Sequence, residues 1–153
     1  MALYLIQHGK SLPKDRDPDQ GLSAEGIAET ERMAKLARNH DVAVTQIRHS
    51  LKTRARQTAE IFAGALNPKQ GIQEVSGIKP LDDVAAYAAN IDPAEDIMLV
   101  GHLPFMERMT AFLITGSIDR PVFKFQNSGI VCLDKDPESE GWVIKWALMP
   151  NIG

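Results

Sequence analysis

Short apolar runs alternate with longer amphipathic segments along the chain of 153 residues. Three of the apolar runs are too short for helices and therefore predict buried strands, at Leu3–Ile6, Val42–Ile47 and Ile97–Val100. Between and after these strands, apolar residues recur at three- and four-residue spacing, which predicts helices. The alternation of strand and helix indicates a mostly parallel sheet that is covered on both faces.

Helix boundaries can be read from capping residues. Ser23 is a good N-cap for a first helix that runs to about Arg38, and Ser50 is a candidate N-cap for a second helix. Either Asp82 or Asp83 is a candidate N-cap for a third helix. The first helix should bury one face, which carries Ile27, Thr30, Ala34 and Ala37. Pro104 marks the start of a fourth helix, which should stop near Gly116.

The last third of the chain changes character. Its apolar runs predict strands at Val122–Phe125, Ile130–Leu133 and Trp142–Trp146. Turn-forming residues between the last two runs predict a hairpin at a sheet edge, in which Trp142 and Trp146 share a face by the two-residue period. The fold class expected is α/β, a three-layer α/β/α arrangement with a mostly parallel sheet and antiparallel edge strands near the C-terminus.

Composition narrows the class of protein. Apolar residues make up 44% of the chain and charged residues 24%, which fits one folded domain over residues 1–153. The apolar runs are too short to span a membrane, and a net charge of −3 gives no general attraction to nucleic acid. The single cysteine, Cys132, excludes an internal disulfide. We therefore expect a cytoplasmic protein with neither membrane nor nucleic-acid partners; the sequence leaves its oligomeric state open.

Polar clusters follow the three strands predicted for the parallel sheet. They are Gln7-His8-Gly9-Lys10, then Arg48-His49-Ser50 with Lys52 and Arg54, then Gly101-His102. The carboxyl ends of parallel strands gather along one rim, where ligands bind. We therefore expect His8, Arg54 and His102 to converge, although they lie far apart in the sequence.

This combination of side chains suits phosphoryl chemistry. A neutral imidazole is a competent nucleophile near pH 7, and the planar guanidinium of arginine matches phosphate oxygens. A second imidazole can stabilise charge on the group being transferred. A metal site is not expected, because no two of the four histidines have the i, i+4 spacing of a helical metal motif.

Four ordered motifs resemble those of the histidine phosphatase superfamily. They are Leu5-Ile6-Gln7-His8-Gly9, Leu22-Ser23-x-x-Gly26, Ser50-x-x-x-Arg54-Ala55-x-Gln57-Thr58-Ala59 and Val100-Gly101-His102. Their order and spacing are similar to those of the small SixA-type phosphohistidine phosphatases, in a superfamily whose fold is called phosphoglycerate mutase-like. The similarity extends over essentially the whole chain.

The resemblance implies a role for each residue of the predicted site. His8 would accept the phosphoryl group and form a covalent phosphohistidine, which water would then hydrolyse. Arg54 and His102 would bind the phosphate, together with Gln7 and Gly9 of the first motif. The resemblance implies neither metal nor cofactor, and its expected partner is a phosphorylated protein or a small phosphorylated substrate.

One motif departs from the family pattern. The family has arginine before the nucleophile, and this chain has Gln7. Glutamine donates hydrogen bonds but carries no charge, and replacing a charged contact by a neutral one costs about 1.5–3 kcal/mol, or roughly ten- to a hundredfold in rate. Lys52 is the first candidate to compensate, because it precedes Arg54 near a predicted helix start, and Lys10 and Arg48 are other candidates. A solvated lysine is the alternative.

The general acid is a second open point. The phosphoglycerate mutases, larger members of the superfamily, use a carboxylate in the middle segment, where this chain has Asp82 and Asp83. Either is a candidate acid, but either also suits a helix cap. SixA-type enzymes manage without a strong acid, because imidazole is a better leaving group than an alkoxide.

Three hypotheses follow. The first is a phosphatase that acts on protein phosphohistidine or a small phosphorylated compound. The second, motivated by Gln7, is a phosphate- or phosphoprotein-binding module with weak or no catalysis. The third is mutase-like transfer, which the short chain and the absence of a clear acid disfavour.

Overall fold

A computed structural model of the protein describes residues 1–152. Its elements in chain order are β1 (Leu3–Gln7), α1 (Ala24–Asn39), β2 (Gln46–His49), α2 (Thr53–Leu66), β3 (Ile72–Glu74), α3 (Val84–Ala88), β4 (Ile97–Gly101), α4 (Phe105–Thr115), β5 (Ile130–Lys135) and β6 (Trp142–Leu148). Strands and helices alternate up to α4, and two strands follow. The predicted α/β class is confirmed.

The six strands form one sheet in the order β3-β2-β4-β1-β5-β6. The first four strands of this order are parallel, whereas β5 is antiparallel to both β1 and β6. The terminal hairpin therefore lies at one edge of the sheet, as predicted. Strand β1 is central because it pairs with β4 on one side and β5 on the other. Its residues Leu3–Ile6 are fully enclosed, which explains why this run is apolar throughout.

The sheet separates two apolar cores. On one face, α1 and α2 contribute residues such as Met33 and Phe62, which are 0% exposed. On the other face, α4 contributes Phe105 and Met109, which are also 0% exposed. The two cores meet alternate residues of β1, since side chains of a strand point to opposite faces. This is the expected three-layer arrangement.

Three predictions about strand bounds and the buried face of α1 are wrong. Val122–Phe125 is not a strand: the Phe125 N–H donates to Oε2 of Glu107 at 3.0 Å instead of joining a ladder. The second strand begins at Gln46, because the Val42 N–H is still bonded to the Ala37 carbonyl in the turn that ends α1. Ile27 is 40% exposed rather than buried on the inner face of α1.

Capping accounts for the start of α1 but not of α2. The Ser23 side chain accepts a hydrogen bond from the Gly26 N–H at 3.0 Å, as predicted. The predicted Ser50 cap is wrong: the N-cap of α2 is Lys52, with no side-chain cap bond, and the Ser50 hydroxyl is instead bonded to a histidine. In the described residues 1–152, no helix is both long and apolar enough to cross a membrane.

Candidate active site

The parallel strands bring the three polar clusters to one rim of the sheet. Gln7 is opposite Gly101, and His49 is opposite Val100, so the residues that follow these strands lie side by side. The His8 N–H is bonded to the Gly101 carbonyl at 3.0 Å, which extends the β1–β4 ladder by one step. Chain segments that are far apart in sequence therefore meet at the carboxyl ends of the strands.

His8, Arg54 and His102 converge as expected from the sequence. The ring centroids of His8 and His102 are 5.0 Å apart and the rings are tilted by 55°. Nε of Arg54 lies 3.3 Å from Nε2 of His8. Arg54 reaches this point because α2 begins one residue earlier, so its side chain extends from the first turn of that helix.

Two hydrogen bonds define the protonation of His8. Nδ1 lies 2.7 Å from the Gly9 carbonyl oxygen, which can only accept, so Nδ1 carries the proton. Nε2 faces the N–H of Arg54, which can only donate, so Nε2 presents its lone pair. Burial lowers the pKa of His8, and the nearby Arg54 charge lowers it further against the opposing effect of the Gly9 bond. The structure therefore holds a neutral imidazole whose nucleophilic nitrogen faces a guanidinium.

A threonine connects the nucleophile segment to the arginine helix. The Gly9 N–H donates to Oγ1 of Thr58 at 2.9 Å, and the same hydroxyl donates to the Arg54 carbonyl at 2.8 Å. Thr58 is 0% exposed. Because both backbone polar groups of Gly9 are engaged inside the protein, its visible role is to orient His8. A direct contact between Gly9 and phosphate stays a prediction.

The loop before β5 supports the nucleophile from the other side. Nδ2 of Asn127 donates to the His8 carbonyl at 2.9 Å, and the Ser128 N–H donates to the Gln7 carbonyl at 2.8 Å. Ser128 is buried with a positive φ of 64°, and its hydroxyl is bonded to that of Thr30 at 2.6 Å. This loop and α1 thus hold the backbone around His8 in place.

His102 is buried more deeply than His8 and has one serine partner. It is 2% exposed, and its Nε2 lies 2.6 Å from Oγ of Ser50. Burial is the main cause that lowers the pKa of His102 to about 3, and electrostatic interactions with His8, Arg54 and Lys52 act in the same direction. The ring is therefore neutral near pH 7. Its Nδ1 is buried and has no hydrogen-bond partner among the described residues.

Gln7 and Lys52 lie beside this group. Gln7 is the last residue of β1, and its Oε1 is buried without a hydrogen-bond partner among residues 1–152. Lys52 is exposed, makes no ion pair with the described carboxylates, and is close enough for its charge to depress the pKa of His102. Among residues 1–152, Lys52 is therefore a cation without an ion-pair partner, and it lies near His102.

The two candidate acids are engaged elsewhere. Oδ2 of Asp82 accepts the Lys79 N–H at 2.9 Å, and Oδ1 of Asp83 accepts the Ala86 N–H at 3.2 Å as the N-cap of α3. Both line a cavity of about 450 Å³. The other residues that line this cavity also lie between positions 76 and 90, and His8, Arg54 and His102 are not among them. A role as general acid stays a prediction for both.

The sequence did not reveal every residue that shapes the site. The hydrogen bonds of Thr58 and Asn127 to the nucleophile segment were not predicted. Thr58 had two signals: it belongs to the motif that contains Arg54, and its position four residues after Arg54 places both on one face of a helix. In residues 1–152, no group of three or more His, Cys, Asp or Glu side chains is arranged to hold a metal ion.

Comparison with known proteins places this fold and site in a family. A sequence model of the histidine phosphatase superfamily, branch 1, matches residues 3–79, about half of the chain. The matched region contains His8 and Arg54, and His102 lies beyond it. The chain therefore belongs to the histidine phosphatase superfamily.

Individual relatives show which branch of the superfamily the chain resembles. The chain is 24% identical to the phosphohistidine phosphatase SixA of Escherichia coli (strain K12), covering 98% of this chain and 94% of that protein. It is 33% identical to an uncharacterized protein of Picosynechococcus sp. (strain ATCC 27264 / PCC 7002 / PR-6), covering 68% of this chain and 67% of that protein. Among solved structures, protein histidine phosphatase SixA in complex with tungstate aligns with a TM-score of 0.84 at 25% identity, covering 98% of this chain and 97% of the other. The SixA-type branch inferred from the motifs is confirmed.

Proposed function

We propose that the chain is a phosphatase that works through a covalent phosphohistidine on His8, with protein phosphohistidine or a small phosphorylated compound as substrate. The observation that carries this proposal is the fixed tautomer of His8. Nδ1–H is held by the Gly9 carbonyl and burial lowers the pKa of His8, so Nε2 keeps its lone pair near pH 7. The E. coli and tungstate-bound relatives are described as phosphohistidine or protein histidine phosphatases, which supports the substrate class.

In the first step, the lone pair on Nε2 of His8 attacks phosphorus. The P–Nε2 bond forms as the bond between phosphorus and the leaving group breaks, and the leaving group takes the bond's electron pair. Arg54 turns its N–H groups from the nitrogen to the phosphoryl oxygens, where its planar fork fits two of them. His102 supplies a further donor to the transferring group.

In the second step, water attacks the phosphorus of phospho-His8. The water oxygen bonds to phosphorus, the P–Nε2 bond breaks, and its electron pair returns to Nε2 of His8. Inorganic phosphate leaves, and the water protons go to the phosphate and the solvent. The two candidate acids, Asp82 and Asp83, each accept a backbone N–H group in this structure. This arrangement favours substrates whose leaving group needs little protonation, such as the imidazole of phosphohistidine.

The proposal is tested by phosphate release from a phosphohistidine-carrying protein and from p-nitrophenyl phosphate. We expect release by the wild type and none by His8→Ala. His40→Ala is the matched control, because His40 is an exposed histidine at the end of α1 and should not affect turnover. Equal release by wild type and His8→Ala would refute the proposed nucleophile.

Lys52 is proposed to supply the charge that Gln7 lacks. The reasons are that its ammonium group has no ion-pair partner among the described residues and that its charge helps to lower the pKa of His102. Lys52→Gln should raise KM for phosphorylated substrates roughly tenfold, the lower bound for loss of a charged contact. Lys69→Gln, which changes an exposed lysine beyond the far end of α2, should leave KM unchanged. Equal effects of the two substitutions on KM would show that Lys52 does not contribute to substrate binding.

A binding module with weak catalysis is the second candidate, and Gln7 is the observation that favours it. Protection of the fold by phosphate is expected under both readings, so only turnover separates them. If wild type and His8→Ala both release no phosphate while phosphate raises the melting temperature, the binding reading replaces catalysis. A Gln7→Arg variant should then gain phosphate release, because it restores the charge found in the family motif.

A further inference from the structure

The hydroxyl of Ser50 and the ring of His102 form a buried polar pair beside His8. Oγ of Ser50 lies 2.6 Å from Nε2 of His102, and the two residues are 3% and 2% exposed. The Lys52 N–H also points at the hydroxyl oxygen, at 3.4 Å. The other ring nitrogen, Nδ1, is buried with no partner in the described part of the chain. The pair therefore has few groups among which its two protons can be distributed.

Two distributions of the protons are conceivable for a neutral ring, and they differ in how many buried groups remain unpaired. If Ser50 donates to Nε2, the ring proton is on Nδ1, and the hydroxyl oxygen accepts the Lys52 N–H. Only Nδ1–H then lacks a partner. If Nε2–H donates to Ser50 instead, the hydroxyl proton has no acceptor among residues 1–152, and the Nδ1 lone pair is also unpaired. Each buried unpaired group costs about 1–3 kcal/mol, so the first distribution is preferred.

We infer that Ser50 is a positioning residue that holds His102 in the Nδ1–H tautomer and so reserves Nδ1–H as a donor for a phosphoryl oxygen. The identity of this acceptor rests on the proposed function, whereas the tautomer follows from the hydrogen bonds alone. The ring is neutral near pH 7 because burial lowers the pKa of His102 to about 3. At that pH it therefore carries one proton, on either Nδ1 or Nε2. A neutral Nδ1–H donor contributes no charge of its own to the site.

The inference gives the two site histidines matching tautomers by different means. In His8, the Gly9 carbonyl accepts from Nδ1–H and leaves Nε2 free to attack phosphorus. In His102, the Ser50 hydroxyl donates to Nε2 and leaves Nδ1–H free to bind oxygen. One ring is thereby prepared as nucleophile and the other as hydrogen-bond donor, which explains how two neutral histidines serve opposite roles.

Long-range ¹H–¹⁵N NMR of the imidazole rings tests the tautomer directly in the wild-type protein. The His102 signals are assigned by their absence from a His102→Gln variant. We expect a protonated Nδ1 and an unprotonated Nε2 at pH 7, and addition of inorganic phosphate should shift Nδ1 more than Nε2. A protonated Nε2 in the wild type would overturn the inferred tautomer. An Nδ1 signal that does not shift in saturating phosphate would refute the proposal that Nδ1–H donates to a phosphoryl oxygen.

Substitutions at Ser50 then test its role. Ser50→Ala should shift the ring towards the Nε2–H tautomer and lower kcat about tenfold, less than the roughly hundredfold loss expected when such a donor is removed outright. Ser50→Thr keeps the hydroxyl and should keep both tautomer and kcat. Thr110→Val is the control, because it removes a buried hydroxyl that is bonded to Met106 within α4 and should change neither property.

The outcomes distinguish failure of this inference from failure of the proposed function. An Nδ1–H spectrum without phosphate release from any substrate sustains the tautomer and refutes the phosphatase. Phosphate release with an unchanged tautomer in Ser50→Ala refutes the role of Ser50 and leaves the phosphatase intact. If Ser50→Ala does not fold, the wild-type and Ser50→Thr spectra still decide, because a protonated Nε2 in either contradicts the inference.

Discussion

Thr58 offers the sharpest test of how the nucleophile is held. Its hydroxyl accepts the Gly9 N–H at 2.9 Å and donates to the Arg54 carbonyl at 2.8 Å, and the side chain is 0% exposed. Thr58→Val keeps the volume but leaves the buried Gly9 N–H unpaired, which costs about 1–3 kcal/mol. For a chain of this length, that corresponds to a melting temperature lower by roughly 2–12 °C.

Catalysis should suffer as well, because Gly9 carries the carbonyl that orients His8. A displacement of the order of 1 Å at a reacting group costs about a hundredfold in rate, so we expect kcat to fall roughly ten- to a hundredfold in Thr58→Val. Thr58→Ser keeps the hydroxyl and loses one methyl group, so it should retain kcat and lose only about 1 kcal/mol of stability. Thermal unfolding and phosphate release measure the two effects. Wild-type behaviour of Thr58→Val, or equal damage by both substitutions, would refute the reasoning.

Three further predictions concern packing, charge and pH. Gly9→Ala should destabilise the fold by about 1–3 kcal/mol in thermal unfolding, because its Cβ would lie 2.6 Å from Oγ1 of Thr30; unchanged stability would contradict this close approach. Arg54→Lys keeps the charge but loses the planar fork, so kcat/KM for phosphate release should fall about ten- to a hundredfold, and full activity would remove the guanidinium from the mechanism. Folding stability should fall as the pH drops from about 6.5 towards 3, because the pKa of His102 is about 3 in the folded state and the unfolded state takes up the proton first. Chemical denaturation at several pH values should show this slope reduced in His102→Gln, and an equal slope would contradict the assignment.

The central sheet was predictable because burial on both faces leaves a clear signal. Leu3–Ile6 and Ile97–Val100 are unbroken apolar runs, and both are buried strands in the structure. The Val122–Phe125 run, which is apolar apart from Lys124, lies outside the sheet, where Phe125 packs against α4 and its N–H donates to Glu107. Composition alone cannot distinguish these cases, because tertiary packing determines whether the backbone N–H groups of a segment bond to a neighbouring strand or to a side chain.

The last strand shows a second limit. The two-residue period places Trp142 and Trp146 on one face, yet Trp146 packs against the α1–α2 core and Trp142 against the α4 core. An irregularity in the pairing explains this, because Cys132 is opposite Trp146 whereas the next residue of β5 is opposite Ile144. One extra residue in β6 reverses the face, and a bulge of this kind has no dependable signal in the sequence.

The site was predictable to the extent that strand ends determine it. His8 and His102 follow parallel neighbours in the sheet, so topology alone brings them together. The role of Ser50 was misjudged, because a serine before a helix is usually a cap, and only the structure shows His102 beside it. The contacts of Thr58 and Asn127 with the nucleophile segment depend on side-chain directions that no local pattern encodes.

The central claim is that His8 carries the phosphoryl group, and trapping the intermediate tests it most directly. The protein is mixed with a phosphohistidine-carrying protein, quenched in alkali within milliseconds, and digested for mass spectrometry, because phosphohistidine survives base. The account predicts phosphate on His8 in the wild type and in His40→Ala, and none in His8→Ala. Turnover without any phosphate on His8, or phosphate on another residue of an active enzyme, would contradict it.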